Sequence, residues 1–392
     1  MSDMKRILRH SRITLNTRLR VCGACLITFV VFLEIFSMSE ITDNEYIHIF
    51  NSEEVPNASH KTILLWTSLF NNNTWTLPNL NIPSCPKYYP NRCELTTDRT
   101  RLVTSDVLLF HSGDIDELPS IRRTGQIWVI FNMEALPNIR QSLKQFNGLF
   151  NWTTWYRTDS TVPMVYGYAL KRPRRDMELS IDIFAEKSKM AFWAASNCDD
   201  PVHRYKVVHE LKKHVDVDTY GRCGELVCDK TDKECFKKLT DYKFVLSFEN
   251  SHCRDYVTEK YWLALRRRQI PIVYGGADYE SLVLPRSYIN VRDFTNLSAL
   301  ATYMIKVAAN RTLYNSYFDW MREYELPPCN QEFNEHCFDL ESYFCSLCGA
   351  LHDRTTPSQV YSNLHGWATN DLPQCQEFSY FRLFNPFRLL GV

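Results

Sequence analysis

At 392 residues, 45% of them hydrophobic, the chain is long enough to bury a large core and to form two domains of ordinary size. Basic and acidic residues balance at 45 each, for a formal net charge of zero. That balance gives no electrostatic footprint for nucleic acid or an acidic polymer, and no nucleic-acid partner is expected.

The N-terminus sets the compartment. Lys5, Arg6, Arg9, Arg12, Arg18 and Arg20 precede an apolar run at 21–38, and Glu40, Asp43, Glu45, Glu53 and Glu54 follow it. This asymmetry predicts a cytoplasmic tail at 1–20 and one signal-anchor span at 21–38. The run is short and carries Glu34, which suits a thin early-secretory bilayer. A cleaved signal peptide is the alternative, but no small-residue cleavage pattern follows the run. Residues 39–61 are polar and aperiodic and read as a stem. Everything beyond is then lumenal and oxidising. Asn57, Asn72, Asn151, Asn296 and Asn310 each head an N-x-S/T triplet and are the expected glycosylation sites. Of fourteen cysteines, Cys22 and Cys25 fall in the anchor, and the even remainder fits a disulfide set. Cys85 and Cys93 are near enough in sequence to pair locally. Cys345 and Cys348 are spaced as half a zinc site or a redox pair, but without a companion C-x-x-C or histidine spacing they read as structural disulfide cysteines.

Strand patterns follow at 62–66, 106–110 and 127–131, the second leading into His111-Ser-Gly-Asp114 and the third into Asn132-Met-Glu134. Short apolar strands of this kind predict an α/β sheet buried on both faces. Proline and charge at 171–176 mark a boundary, placing one domain at 62–172 and a second at 173–359. The second continues with a strand at 190–195 ending in Ser196-Asn197, a helix at 202–214, a strand at 215–220 and a unit at 242–276. A strand at 288–291 and a helix at 297–309 follow, with Thr295, Asn296 and Ser298 as candidate caps. Residues 360–392 form a tail. Two α/β halves predict a cleft with strand ends from both facing it.

The unit at 242–276 is strand, loop, helix, strand, a right-handed crossover whose ligand side is the carboxyl end of its strands. Glu249, Asn250, Ser251, Asp255, Tyr256, Thr258, Glu259 and Lys260 crowd that loop and the first helical turn. Backbone N–H groups and a lysine there suit an anionic diphosphate; a polar structural loop has the same composition. Glu134 ends a strand of the first half, opposite Lys260 and Arg204 of the second. A transferase joining an alcohol to an activated sugar needs such a division, a base for the hydroxyl proton and cations for the leaving phosphate. A capping or salt-bridge role is the competing reading of Glu134. No H-E-x-x-H or comparable metal spacing occurs, and no G-x-S-x-G or Cys-His arrangement supports a nucleophilic hydrolase. Trp152, Trp155 and Tyr156 suit a core better than a sugar platform.

The stretch FVLSFENS…DYVTEKYW…IPIVYGG…YE…LPRSYINVRDF, beginning at Phe244 and ending at Phe294, resembles the signature of the α1,3-fucosyltransferases of glycosyltransferase family 10. HSGDIDELP, IWVIFNMEALPN, YRTDSTVPMVYGY and SNCDDPVHR resemble the other blocks of that family, in order, so the likeness runs from about 62 to 350. It implies a GT-B fold of two Rossmann-like domains facing a cleft, a Golgi type II membrane anchor, and inverting transfer of L-fucose from GDP-fucose. By motif position Glu134 matches the general base. Asn197, Arg204, Asn250, Tyr256, Glu259 and Lys260 match the donor site, with Arg204 and Lys260 on the diphosphate and Glu259 on the nucleotide-sugar hydroxyls; Arg157 is a weaker candidate. The resemblance implies no obligatory cofactor and no metal ligands, although divalent cations, manganese or magnesium, assist members of the family. The chain departs from it at Ala135-Leu136, where the family has Ser-Pro after the glutamate, and in the tail after Val360. The expected acceptor is N-acetylglucosamine of a glycoprotein glycan, in an N-glycan core or an antenna. A catalytically silent lumenal glycan-binding protein is the alternative, which predicts loss of Glu134, Arg204 or Lys260; all three are present.

Overall fold

The computed structural model describes residues 60–73, 75, 93–139, 141–176, 179–198, 201–228, 232–327, 340–370 and 375, all within the unit Glu54–Val392. The predicted cytoplasmic tail and anchor, most of the stem, Asn57 and Cys85 lie outside them. Among the described residues no helix is long and apolar enough to cross a membrane.

The first half is a parallel sheet of β1 (Lys61–Leu65), β2 (Cys93–Thr96), β3 (Val107–His111), β4 (Ile127–Phe131) and β5 (Trp152–Thr154), in the order β2-β1-β3-β4-β5. Side chains alternate across it with the period-2 rule. Ile63, Leu65, Val107, Leu109, Val129 and Phe131 face one way, and Leu64, Leu108, Phe110, Trp128 and Ile130 the other. The second half follows β6 (Leu170–Lys171). It is a parallel sheet of β7 (Lys189–Ala194), β8 (Val217–Tyr220), β9 (Tyr242–Phe248), β10 (Ile270–Tyr274) and β11 (Ile289–Asn290), in the order β11-β10-β9-β7-β8. Its helices include α1 (Arg204–Leu211), α2 (Lys233–Leu239), α3 (Glu259–Arg266), α4 (Tyr279–Leu282), α5 (Leu297–Ala309) and α6 (Arg311–Ser316). The predicted cap of α5 is Asn296, whose side chain accepts from Ala299 N at 2.8 Å.

The predicted boundary at 171–176 is pinned. β6 pairs antiparallel with β12 (Tyr324–Glu325), and Arg172 forms an ion pair with Glu325 at 3.0 Å.

The C-terminal segment corrects the expected domain limits. Helix α7 (Leu340–His352), in the stretch assigned to the second domain, packs Leu340, Tyr343, Phe344 and Leu347 on one face of the first sheet, and α8 (Leu364–Thr369) packs Leu364 and Ala368 on the other. The reason is coverage. A parallel sheet must be buried on both faces, and the described connections between the strands of this one are short 3₁₀ turns, of which Leu143 and Phe146 cover only part of one face. The predicted local pairing of Cys85 with Cys93 is also overturned: Cys93 is bonded to Cys348 of α7. Cys198–Cys223, Cys228–Cys235 and Cys253–Cys375 complete the described pairs, and Cys345 is disulfide-bonded too.

Asn151 is a second correction. Asn72, Asn296 and Asn310 are exposed, but Asn151 is buried, its Nδ2 donating to Ser358 O at 2.6 Å and its Oδ1 accepting from Trp128 N at 2.9 Å and from Arg122. The atom that a glycan would occupy is inside the fold. Asn151→Ala should leave the glycan mass unchanged on intact-protein mass spectrometry and cost about 1–3 kcal/mol by stranding a buried N–H; a mass drop of one glycan would show the site in use. Asn72→Gln, Asn296→Gln and Asn310→Gln should each remove one glycan.

Candidate active site

The carboxyl ends of β7, β9 and β10 build one wall of the site. β9 and β10 end level, with Tyr274 paired to Phe248 and Glu249 N donating to Tyr274 O at 3.0 Å, so the loop that leaves β9 starts beside the turn that leaves β10. A side chain at Gly276 would place its Cβ 2.1 Å from the His252 backbone, so this close approach requires glycine.

Glu249, the first residue of the loop, is 1% exposed. Its carboxylate accepts from Thr258 N at 2.8 Å, from Thr258 Oγ1 at 2.8 and 3.0 Å, and from Lys260 Nζ at 3.1 Å. Burial raises its pKa, against the pull of Lys260. Lys260, in the first turn of α3, also donates to Thr258 Oγ1 at 2.7 Å and to Glu259 at 3.2 Å. Burial disfavours its charge, yet Glu249 and Glu259 outweigh that and hold the ammonium above its ordinary range. The ammonium is therefore charged, and the side chain as a whole is 27% exposed.

Arg204 opens α1 and is buried, donating to Phe248 O at 3.4 Å and to Asn197 O at 3.2 Å. It is close enough to weigh on Lys260. With Asn197, Trp193, Tyr205 and the Cys198–Cys223 disulfide it lines a cavity of about 220 Å³. Asn250 presents a buried Oδ1 with no hydrogen-bond partner among the described residues. His252 is 1% exposed and likewise has neither ring nitrogen bonded; burial, then the cations of Arg292 and Arg204, push its imidazole down to about 3, so it is neutral.

Glu134 follows β4 at the carboxyl edge of the first sheet. Its backbone is fixed from three directions: Asn132 Oδ1 accepts from Glu134 N at 3.0 Å, Trp155 Nε1 donates to Glu134 O at 2.8 Å, and Tyr166 Oη donates to Met133 O at 2.8 Å. Its side chain is half-buried and accepts one weak bond, from Asn138 Nδ2 at 3.3 Å. The 3₁₀ turn that follows is capped by Ala135 without a side-chain bond, and Glu134 forms no ion pair among the described residues.

Tyr256 joins the two walls. It is 2% exposed, packed edge-on against Tyr156 and Tyr166 at 4.8 and 6.1 Å. Burial raises its phenol well above the ordinary value, and the carboxylates of Glu134, Glu249 and Glu259 add to the rise. Tyr256, in the loop that leads to Glu259 and Lys260, thus packs on Tyr166, whose hydroxyl binds the carbonyl of Met133 next to Glu134. Arg157 is not there as a donor ligand: its guanidinium is committed to Asp159 and to the carbonyls of Trp367 and Ala368. Among the described residues the group of close metal-ligating atoms is Cys93, Cys348 and His352, two of which are joined as a disulfide. His252 is a site residue that spacing does not single out, and Glu249 is expected only as part of the loop's polar cluster; burial is what distinguishes both from ordinary loop polarity.

Two family models match the chain: fucosyltransferase, N-terminal, over residues 58–167, and glycosyltransferase family 10 (fucosyltransferase) C-term over 184–367. The chain belongs to glycosyltransferase family 10. The resemblance to the family's α1,3-fucosyltransferases holds across both matches; the protein is a glycosyltransferase of this class. Alpha-(1,3)-fucosyltransferase C of Drosophila melanogaster is 32% identical, covering 98% of this chain and 96% of its own length. Alpha-(1,3)-fucosyltransferase 7 of Rattus norvegicus is 32% identical over 78% of this chain and 79% of its own. A solved α1,3-fucosyltransferase with GDP-fucose aligns at 18% identity and TM-score 0.46, covering 79% of this chain and 94% of that one.

Proposed function

We propose that this family 10 enzyme transfers L-fucose from GDP-fucose to the 3-hydroxyl of N-acetylglucosamine in a glycoprotein glycan, with inversion and with Glu134 as base. The observation that carries this is the pairing of a weakly bonded carboxylate at the carboxyl edge of the first sheet with two held cations, Arg204 and Lys260, at that of the second, the two edges meeting where Tyr256 packs on Tyr166.

In the step itself the acceptor oxygen forms a bond to C1 of fucose as the bond from C1 to the diphosphate oxygen breaks. The hydroxyl proton passes to Glu134, and the electron pair leaves on GDP, whose new charge meets Arg204 and Lys260. These cations stand fixed before the reaction, so little reorganisation is spent on the leaving group. Glu259 and Asn250 suit the donor's hydroxyl groups. A Golgi type II placement agrees with the charge asymmetry about 21–38 and with the disulfides.

The deciding assay supplies GDP-fucose with a panel of core-exposed and antennary GlcNAc glycopeptides. Fucose is expected on one of them in α1,3 linkage by product NMR; no transfer to any GlcNAc acceptor would refute the reading.

A further inference from the structure

We propose that the C-terminal strap carrying α8 is a positioning element that holds Glu134 and the loop 252–260 in one register, with Trp367 at its centre. The inference rests on the reading of Glu134 as base.

Trp367 touches the acceptor wall through one intermediary. Its ring lies 5.8 Å from that of Trp155, whose indole N–H is the donor that fixes the Glu134 carbonyl at 2.8 Å. Trp367 also receives the Arg157 guanidinium, 4.3 Å above the ring, and Arg157 Nη1 donates to the carbonyls of Trp367 and Ala368 at 2.9 and 3.1 Å. The other guanidinium nitrogens of Arg157 grip both oxygens of Asp159 at 2.8 and 2.7 Å, a bidentate geometry that fixes orientation as well as distance.

From Asp159 the chain of contacts enters the donor wall. Asp159 pairs with Arg254 at 3.0 Å, and next to it Thr158 binds Asp255 Oδ2 through both N and Oγ1, at 3.1 and 2.7 Å. Asp255 sits at φ +61°, a left-handed conformation that surrounding contacts must maintain. The residue after it is Tyr256. The strap is also fastened covalently to this loop by Cys253–Cys375, and Leu364 and Ala368 pack with Cys253 and Tyr256 in one cluster. A helix whose sole task was to cover the first sheet would need none of these polar ties. Trp367 and Arg157 act through Glu134 and the loop, so both are positioning residues.

The test uses the full chain, GDP-fucose and a bi-antennary GlcNAc-terminated N-glycopeptide, with thermal melts and GDP titration calorimetry alongside. Trp367→Ala should lower kcat about tenfold to a hundredfold, the scale of a misplacement near 1 Å, with GDP affinity changed less than about twofold, and Trp367→Phe should recover most of the loss. The double variant Cys253→Ser/Cys375→Ser removes no packed ring and should raise KM for GDP-fucose by about tenfold, by loosening the loop. A folded Trp367→Ala with wild-type kcat overturns the inference. Should that variant not fold, the double serine variant decides, and wild-type kcat and KM there overturn it. Glu134→Gln measured in parallel separates the two readings: full turnover in it removes the base, while the donor-side effect of the double serine variant still reads the strap.

Discussion

Glu134→Gln should lower kcat by about 10²- to 10⁴-fold, the range that a positioned general base contributes, while GDP affinity and melting temperature stay close to wild type. The substitution is close to isosteric, and every backbone bond that places the residue, from Asn132, Trp155 and Met133's partner Tyr166, is untouched. The one side-chain bond, from Asn138 Nδ2 at 3.3 Å, can be accepted by a glutamine oxygen as well. What disappears is the capacity to take a proton. A salt-bridge role would give the opposite pattern, with stability falling and turnover surviving, but no cation pairs with this carboxylate among the described residues. The measurement is steady-state transfer together with GDP calorimetry, and full turnover in a folded variant would sink the base assignment.

Much of this site was legible because parallel sheets bind ligands at their carboxyl edges, which a sequence marks wherever an apolar run ends in polar residues. The strands at 62–66, 127–131 and 270–274, and the helix at 297–309, come within about a residue of β1, β4, β10 and α5 for that reason, and they bring Glu134 and Lys260 with them. β2 and β5 lack such a signal. CELT and WTT are short and partly polar, and only pairing with β1 and β4 makes them strands. Long-range choices were equally invisible. Nothing in the spacing of Cys93 says that its partner is 255 residues away, and helical periodicity at 340–352 says that a face is apolar but not which sheet it covers. Asn151 shows the same limit from the other side: a triplet is a property of three residues, whereas access to its amide depends on Ser358. The role of Glu249 needs burial to be seen, since the same residue in an exposed loop would be one more solvated acid.

Lys260→Ala should do two things that a second substitution can separate. The first is structural. Glu249 is 1% exposed, and removing its cation leaves a buried carboxylate held by Thr258 alone, a change of the kind that costs about 3–5 kcal/mol when a buried pair is broken. The partial exposure of Lys260, 27%, places the expected loss at the lower end. Because burial already raises the Glu249 pKa and Lys260 opposes the rise, the variant raises it further. An acid with a raised folded-state pKa binds more protons folded than unfolded, so stability is greatest below the unfolded carboxylate pKa and falls as pH climbs toward the folded one. The melting temperature of Lys260→Ala should therefore drop away from wild type as pH rises from the ordinary carboxylate range toward neutrality, and Lys260→Ala/Glu249→Gln should abolish that divergence. The second effect is on the donor. A charged hydrogen bond to phosphate contributes about 1.5–3 kcal/mol, so GDP affinity should weaken by about tenfold to a hundredfold in both the single and the double variant. Recovery of stability without recovery of GDP binding would assign Lys260 to the diphosphate independently of its bond to Glu249; an unchanged donor KM in the stabilised double variant would remove it from the donor site.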